Sequence, residues 1–188
     1  MKKNQQRGFT LVELIVVIVV LGLLAVAALP RFVDVTEEAK KSSIEGVAGG
    51  FATAVLSARA QWEAEARPNI SSDNYVNYDG TEFWLTRATN NGGNDTGFRN
   101  GYPYALKTSD SAPGQGTTNA RCIELMENLL QSPPKVGTVA QASSDSSYKY
   151  SAEADGAADT CTYVQREGSS EHEFVYELTT GRVTVTLE

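Results

Sequence analysis

The sequence predicts an α+β fold in which one long N-terminal helix precedes an antiparallel sheet. An apolar run over residues 9–29 and an amphipathic pattern that continues to Trp62 predict the helix. Alternation of apolar and polar residues near the C-terminus predicts strands, with Thr179-Thr180-Gly181 as a turn between them. The apolar positions of these two strands are Phe174, Tyr176 and Leu178, then Val183, Val185 and Leu187. The pattern predicts a C-terminal β-hairpin.

The apolar run predicts one membrane crossing. Residues 9–29 contain a single formal charge, Glu13, and a helix of that length spans about 31 Å, close to the hydrocarbon core of a bilayer. Lys2, Lys3 and Arg7 precede the run without an acidic residue. By the positive-inside bias, the N-terminus is expected in the cytoplasm and the remainder outside it.

A conventional secretory signal peptide is the alternative for this segment. Ala25-Val26-Ala27 has the small-x-small pattern of a signal peptidase site, and cleavage there would leave Ala28 as the N-terminus. The run is longer than the usual signal core of about 7 to 15 residues, and it contains Glu13. Only Pro30 interrupts the helical pattern before it continues as an amphipathic segment. These features favour a helix that is retained after export.

The junction before the run resembles the processing site of type IV prepilins. It reads Gly8-Phe9-Thr10-Leu11-Val12-Glu13. The resemblance implies cleavage after Gly8 by a membrane prepilin peptidase and N-methylation of the new terminal residue, Phe9. It also implies that Glu13 helps to recruit subunits by pairing with the terminal amine of a neighbour. The resemblance further implies that the helix can lose its regular hydrogen bonding between Gly22 and Pro30 inside a filament.

The physical chemistry of Glu13 agrees with that role and leaves one alternative open. An ionised carboxylate inside a transmembrane helix costs about 2.5 to 3.5 kcal/mol on insertion scales, so it is expected to find a partner. The ammonium group of a neighbouring Phe9 would be one. Alternatively, Glu13 lies close enough to the membrane interface to stay hydrated.

The resemblance implies four segments. Residues 1–8 would be the prepilin leader, residues 9–29 the transmembrane and filament-core helix, and residues 30–67 an amphipathic half of the same helix. Residues 68–188 would form a globular α+β head, matching the pilin plan of a long helix packed on an antiparallel sheet.

The amphipathic half carries one apolar face. Its members recur at three- and four-residue steps: Ile44, Val47, Ala48, Phe51, Val55, Ala58 and Trp62. Charged residues fall mainly off this face, so this half is expected to lie across a soluble core, with Pro68 as a natural end. Gly46, Gly49 and Gly50 each cost about 1 kcal/mol in a helix relative to Ala. Either another backbone approaches there, from the domain's sheet or an adjacent subunit, or the flexibility is tolerated.

The two cysteines predict one disulfide. Cys122 and Cys161 enclose 38 residues in a chain with an export signal, and two free thiols are the alternative. The bond would contribute about 4 kcal/mol in the chain-entropy model. Without a neighbouring His or further Cys, no zinc site is expected.

The remaining head sequence predicts a loop, a short helix and strands. Asn69 to Asn119 is rich in Asn, Asp, Gly, Ser and Thr, which predicts a long loop pinned to the core by aromatic residues. These anchors are Phe83, Trp84, Tyr102 and Tyr104. Thr118 or Asn119 is expected to cap a helix that carries Cys122 and is stopped by Pro133.

Three stretches narrow the resemblance to pilins of the mannose-sensitive haemagglutinin (MSHA) type, including minor members. They are Glu45-Gly46-Val47-Ala48-Gly49-Gly50, Gly101-Tyr102-Pro103-Tyr104, and Arg121-Cys122-Ile123-Glu124-Leu125 with the following Leu129-Leu130 and Pro133-Pro134.

Composition and motifs argue against several functional classes. The mature chain after Gly8 has 13 basic and 23 acidic residues, a formal charge of −10, which argues against nucleic-acid binding. His172, the only histidine, lies in a predicted strand beside two glutamates and is expected at the surface. No phosphate loop, nucleophile elbow or metal-ligand pattern is present, so neither enzymatic activity nor a cofactor is expected.

Glu153, Asp155 and Asp159 are expected to form a solvated acidic turn. The alternative is a calcium site, because type II secretion pseudopilins can bind calcium near their C-terminal ends.

The resemblance implies a structural protein that moves from the inner membrane into a pilus on the cell surface and supports attachment. Its implied partners are other pilin subunits, prepilin peptidase, an assembly ATPase and a platform membrane protein. A type II secretion pseudopilin is the second hypothesis, and a conventionally secreted binding domain is the third.

Overall fold

The structure, a computed structural model, describes residues 9–167 and 171–188, and for residues 29–34 it describes the backbone alone. The chain divides into two compact units, Met1–Lys40 and Lys41–Glu188. One helix, α1 (Leu11–Ala64), contributes to both. It ends where Ala66 and Arg67 adopt positive φ angles of 63° and 61°, before Pro68. A helix cannot continue through such left-handed backbone.

The segment between α1 and residue 107 forms a four-stranded antiparallel sheet. Its strands are β1 (Asn69–Ile70), β2 (Asp73–Tyr78), β3 (Thr81–Leu85) and β4 (Pro103–Leu106), in that spatial order. The expectation of one long loop from Asn69 to Asn119 was therefore wrong in part, because the anchors Phe83, Trp84 and Tyr104 lie in strands. Burial of Val76, Phe83 and Leu85 compensates for the weak strand propensity of the Asn and Asp residues around them.

A second sheet follows, with five strands in chain order. They are β5 (Val136–Gly137), β6 (Tyr150–Asp155), β7 (Thr160–Gln165), β8 (Glu173–Glu177) and β9 (Arg182–Thr186). All neighbours are antiparallel except β5 and β6, which are parallel. The predicted C-terminal hairpin is confirmed as β8 and β9, with Tyr176 opposite Val183.

Two short helices follow the first sheet: α2 (Asn119–Leu129) connects it to the second sheet, and α3 (Val139–Ser144) connects β5 to β6 within the second sheet. Thr118 caps α2 by accepting a hydrogen bond from the Arg121 backbone N–H at 3.3 Å. A capping box formed by Thr138 and Gln141 starts α3. The predicted helix around Cys122 is thus present, and it buries Cys122, Leu125, Met126 and Leu129.

Within the second unit, the C-terminal half of α1 lies on the second sheet. Phe51 of α1 is fully buried, and its ring centroid lies 5.3 to 5.7 Å from the rings of Tyr163, Phe174 and Tyr176. The Tyr176 hydroxyl donates to the carbonyl of Pro103 at 2.9 Å, which ties β8 to the start of β4. The expected α+β class, a long helix on an antiparallel sheet, is confirmed, with two sheets in place of one.

One local expectation was wrong, the surface position of His172, and one alternative for the helix glycines is removed in part. His172 is fully buried, since it shares the alternating inward face of Phe174 and Tyr176; its Nδ1 accepts the backbone N–H of Glu188 at 3.0 Å. A Cβ placed at Gly46 or Gly49 would meet nothing within 4 Å. The domain's own sheet therefore makes no close contact at these two glycines, whereas a Cβ at Gly50 would lie 3.4 Å from Leu130 Cδ2. Contact with an adjacent subunit and tolerated flexibility stay as alternatives.

Candidate functional site

The start of α1 is fixed by reciprocal hydrogen bonds between Thr10 and Glu13. The Thr10 backbone N–H donates to Glu13 Oε2 at 2.8 Å, and the Glu13 backbone N–H donates to Thr10 Oγ1 at 3.2 Å. The Thr10 hydroxyl also donates to Glu13 Oε2 at 2.7 Å. This arrangement is a capping box, which satisfies backbone donors that the first turn of a helix leaves without partners. The Thr-x-x-Glu spacing carried this signal in the sequence.

The capping box leaves one oxygen of the Glu13 carboxylate, Oε1, available to accept a hydrogen bond. Both bonds from Thr10 go to Oε2, and within the described part of the chain no hydrogen bond reaches Oε1. A carboxylate accepts through both of its oxygens, so one oxygen could cap the helix while the other accepts from a further donor. Phe9, the predicted methylated residue, lies just before the capping box and is 92% exposed. Gly8, the other half of the predicted cleavage site, lies outside the described residues.

The apolar surface after the capping box is uncovered in the described structure. From Leu11 to Ala28, α1 is long and apolar enough to cross a membrane, by length and composition, and no part of this stretch is buried. Its large exposed apolar side chains are Leu11, Val12, Leu14, Ile15, Val16, Val17, Ile18, Val19, Val20, Leu21, Leu23, Leu24 and Val26. Contiguous apolar surface of this extent marks contact with lipid or with other protein.

The two predicted flexibility positions lie within this helix. The backbone is helical at both Gly22 and Pro30. A Cβ placed at Gly22 would have nothing within 4 Å. The loss of helical hydrogen bonding that was expected inside a filament stays a prediction.

The predicted disulfide is present between Cys122 of α2 and Cys161 of β7, with the two Cα atoms 5.6 Å apart. Both residues are fully buried. The Tyr163 hydroxyl donates to the carbonyl of Cys122 at 2.7 Å, so a hydrogen bond joins the same two elements. The disulfide and this hydrogen bond together fix α2 on the second sheet.

The acidic turn joins β6 to β7. Asp155 Oδ1 accepts the backbone N–H groups of Ala157 at 2.8 Å and Ala158 at 3.2 Å. Partial burial raises the pKa of Asp159, and the neighbouring charge of Asp155 raises it further. In residues 9–167 and 171–188, no group of three or more His, Cys, Asp or Glu side chains could hold a metal ion.

A comparison with protein families identifies one motif. Residues 3–29 match the model described as the prokaryotic N-terminal methylation motif. The match spans the junction, the capping box and the whole exposed apolar stretch from Leu11 to Ala28.

Several known proteins are similar to part of the chain. The type IV narrow pilus major component PilA5 of Thermus thermophilus is 42% identical over 55 residues, which are 29% of this chain and 47% of that protein. Fimbrial protein EcpC of Eikenella corrodens is 40% identical over 68 residues, 35% of this chain and 44% of that protein. Type II secretion system core protein G of Pseudomonas aeruginosa is 38% identical over 55 residues, 29% of this chain and 39% of that protein.

The chain therefore spans less than half the length of these curated relatives. No solved structure matches it. The motif, the apolar helix and the pilin relatives agree with a chain that is anchored in the inner membrane and then exposed on a pilus surface. The chain carries the N-terminal methylation motif of type IV prepilins, has a pilin-like α+β fold, and is similar to proteins named as type IV pilins.

Proposed function

We propose that this protein is a non-enzymatic structural subunit of a type IV pilus. One observation carries the proposal: the uncovered apolar helix from Leu11 to Ala28 lies within the methylation motif matched over residues 3–29. An apolar surface of this kind needs lipid before assembly and other helices after it. The chain itself performs no chemistry, and the filament supports attachment to surfaces.

Processing produces the mature subunit. Prepilin peptidase removes residues 1–8 by cutting after Gly8, and the new amine of Phe9 is methylated. Residues 9–29 then form the membrane anchor and later the filament core, residues 30–67 form the amphipathic half of the helix, and residues 68–188 form the head. The exposure of Phe9 in the structure supports an accessible junction.

Assembly uses Glu13 and the terminal amine of a neighbouring Phe9. Glu13 Oε2 is engaged by Thr10, and Oε1 remains to accept from an ammonium group. Pairing of the two charges would relieve the cost of an ionised carboxylate among apolar helices. Gly22 and Pro30 allow the helix to adjust inside the filament. An assembly ATPase and a platform membrane protein supply the energy and the site of assembly.

We assign the subunit to the MSHA type, as a major or minor component. The stretches Glu45 to Gly50, Gly101 to Tyr104 and Arg121 to Leu125 support this narrower assignment. In the structure, Tyr102, Tyr104, Cys122 and Leu125 of these stretches are buried. They are therefore suited to holding the fold of the head.

The mature N-terminus tests the proposal. Mass spectrometry of the exported protein should find N-methylated Phe9 as the first residue. A Gly8→Ala variant is expected to keep residues 1–8, because the resemblance places the cleavage directly after this glycine. An exported product that begins at Ala28 would show a conventional signal peptide and overturn the proposal.

A type II secretion pseudopilin is the second candidate, because type II secretion system core protein G of Pseudomonas aeruginosa is among the relatives. The same junction and helix would then assemble a short periplasmic filament. Electron microscopy of cells that express the protein separates the two. Long surface filaments that contain the chain support a pilus, and short filaments confined to the periplasm support a pseudopilus.

A further inference from the structure

A cleft of about 490 Å³ lies on the head where the end of α1 faces the loop between β3 and β4. Its charged lining residues are Arg59, Glu63, Arg67, Asp95 and Arg99. Three of the nine arginines in the chain thus face one cleft, although the formal charge of the chain is −7. The volume falls in the usual range for small-molecule sites, about 300 to 1,000 Å³.

Two of the arginines are held in place by aromatic rings. The Arg59 guanidinium lies 4.7 Å from the ring centroid of Tyr102 and donates to the Tyr102 hydroxyl. The Arg67 guanidinium lies 5.6 Å from the ring of Trp62, and its Nε donates to Glu63 Oε2 at 2.6 Å. Stacking and hydrogen bonding reduce the freedom that these side chains would lose on binding a ligand.

The third arginine is available to a ligand. Arg99 is exposed and makes no hydrogen bond or ion pair through its guanidinium within the described residues, although its charge, together with hydrogen bonds from Thr180 and Thr179, helps to lower the pKa of Glu177. Its backbone is fixed, because the Arg99 N–H donates to the carbonyl of Thr179 at 2.8 Å. The loop that carries it is also bonded internally, with Asn100 Oδ1 accepting the Ala88 N–H at 2.8 Å. The cleft is therefore formed before any ligand arrives.

The residues that line the cleft favour some anionic ligands over others. A guanidinium recognises a carboxylate or a phosphate through paired N–H donors. Glu63 and Asp95 lie in the same lining and would repel a polyphosphate or a nucleic acid, whereas their oxygens can accept hydrogen bonds from hydroxyl groups. Phe98, half-buried in the wall, offers an apolar surface for the C–H face of a sugar ring. A ligand with one carboxylate and several hydroxyl groups matches this combination.

We propose that this cleft binds a carboxylate-bearing saccharide, with Arg99 contacting the carboxylate. Glu63 and Asp95 accept from the sugar hydroxyls, and Arg59 and Arg67 add positive charge. This inference goes beyond filament assembly and does not depend on it. In a pilus, this cleft would allow the head to attach to surfaces that carry such saccharides.

Titration of the purified full-length protein with methyl glucuronide and methyl glucoside tests the proposal. The detergent should carry neither sugar nor phosphate in its headgroup, and binding is followed by calorimetry and by NMR. Methyl glucuronide is expected to bind at least tenfold tighter than the neutral methyl glucoside, because only the former bears a carboxylate. Inorganic phosphate is expected to compete weakly.

The variants Arg99→Gln and Arg99→Lys locate the site. Arg99→Gln should weaken glucuronide binding by about tenfold to a hundredfold, the range for loss of a charged hydrogen bond. Arg99→Lys should recover part of the affinity, since it keeps the charge and loses the paired donors. Arg182→Gln, at an exposed arginine outside the cleft, should change nothing.

Three results would overturn the proposal. The first is equal binding of glucuronide and glucoside, or no binding of either at about 10 mM. The second is unchanged affinity in Arg99→Gln. The third is binding of inorganic phosphate that is tighter than binding of methyl glucuronide. Self-association of the chain that is sensitive to salt, depends on Arg99 and occurs without sugar binding would count equally against the proposal. Filament counts for the same variants keep this test separate from the proposed pilus function, since Arg99→Gln should assemble normally.

Discussion

Thr10 and Glu13 hold each other at the first turn of α1, with the Thr10 N–H donating to Glu13 Oε2 at 2.8 Å and the Glu13 N–H donating to Thr10 Oγ1 at 3.2 Å. The glutamate that the prepilin resemblance assigns to subunit pairing therefore also caps its own helix. Loss of Glu13 removes both contributions, so a single alanine substitution cannot tell them apart.

The Glu13→Gln variant separates the contribution of Glu13 to helix capping from the contribution of its negative charge to subunit pairing. Glutamine at this position keeps a capping box, because its side-chain oxygen can accept the Thr10 N–H, but it removes the negative charge. We expect normal cleavage and methylation, measured by mass spectrometry, with loss of filaments in electron micrographs.

Thr10→Ala is the matched variant, since it removes the capping hydroxyl and keeps the charge. The cost is about 0.5 to 2 kcal/mol in helix stability, and filaments should still form. Wild-type numbers of filaments in Glu13→Gln would refute the pairing role.

Gly181→Ala is expected to destabilise the head strongly. Gly181 has a φ of +72° in the turn between β8 and β9, and a Cβ there would lie 2.0 Å from Tyr102 Cε1. Left-handed backbone and the clash with a buried ring together should lower the free energy of unfolding by about 2 to 5 kcal/mol. Denaturant unfolding of the full-length protein in detergent, followed by near-UV circular dichroism, measures this loss.

Gly80→Ala is the control for backbone strain alone. Gly80 has a φ of +86° in the β2–β3 turn, and a Cβ there would meet nothing within 4 Å. The expected loss is about 1 to 2 kcal/mol. Equal losses in the two variants would mean that the turn at Gly181 is not packed on Tyr102.

Replacing Cys122 and Cys161 together by alanine should lower the free energy of unfolding by about 2 to 5 kcal/mol. The removed cross-link closes a loop with a sequence separation of 39 residues, so the unfolded chain gains freedom. Both cysteines are fully buried, and the native wild-type protein should therefore resist dithiothreitol until denaturant is added. Unchanged denaturation midpoints between the double variant and the oxidised protein would contradict this expectation.

Asp145→Asn should remove a pH-dependent contribution to stability. Hydrogen bonds from the Ser147 hydroxyl and backbone N–H, with a smaller effect of Lys135, lower the pKa of Asp145 from its ordinary value of 3.8 to about 2. Because the folded-state pKa is the lower one, this contribution is complete above pH 3.8 and is lost as the pH falls through 2. The stability difference between wild type and Asp145→Asn should therefore shrink over this range.

Unfolding at a series of pH values between 5 and 2 measures that difference. Ser147→Ala removes the hydroxyl donor and should show part of the same loss. A difference between wild type and Asp145→Asn that stays constant across the series would show that Asp145 does not stabilise the folded state through its charge.

Several elements could be predicted from the sequence because their signals are local. The apolar run and the stripe from Ile44 to Trp62 indicated α1, and the alternation around Thr179-Thr180-Gly181 indicated the terminal hairpin. The capping signal at Thr10 and Glu13 was equally local. His172 stands in phase with Phe174 and Tyr176, so its burial was also readable from the period of two.

The sequence by itself determined the membrane-length helix, the processing motif and the hairpin, because each depends on residues within a few positions of one another. Only the tertiary structure decided that β1 to β4 are strands, since burial of side chains such as Phe83 outweighs the weak propensity of their polar neighbours. It also decided that Arg59 and Arg99, which are 40 positions apart in the sequence, share one cleft. Contacts between distant segments depend on how the chain packs, and no local pattern encodes that packing.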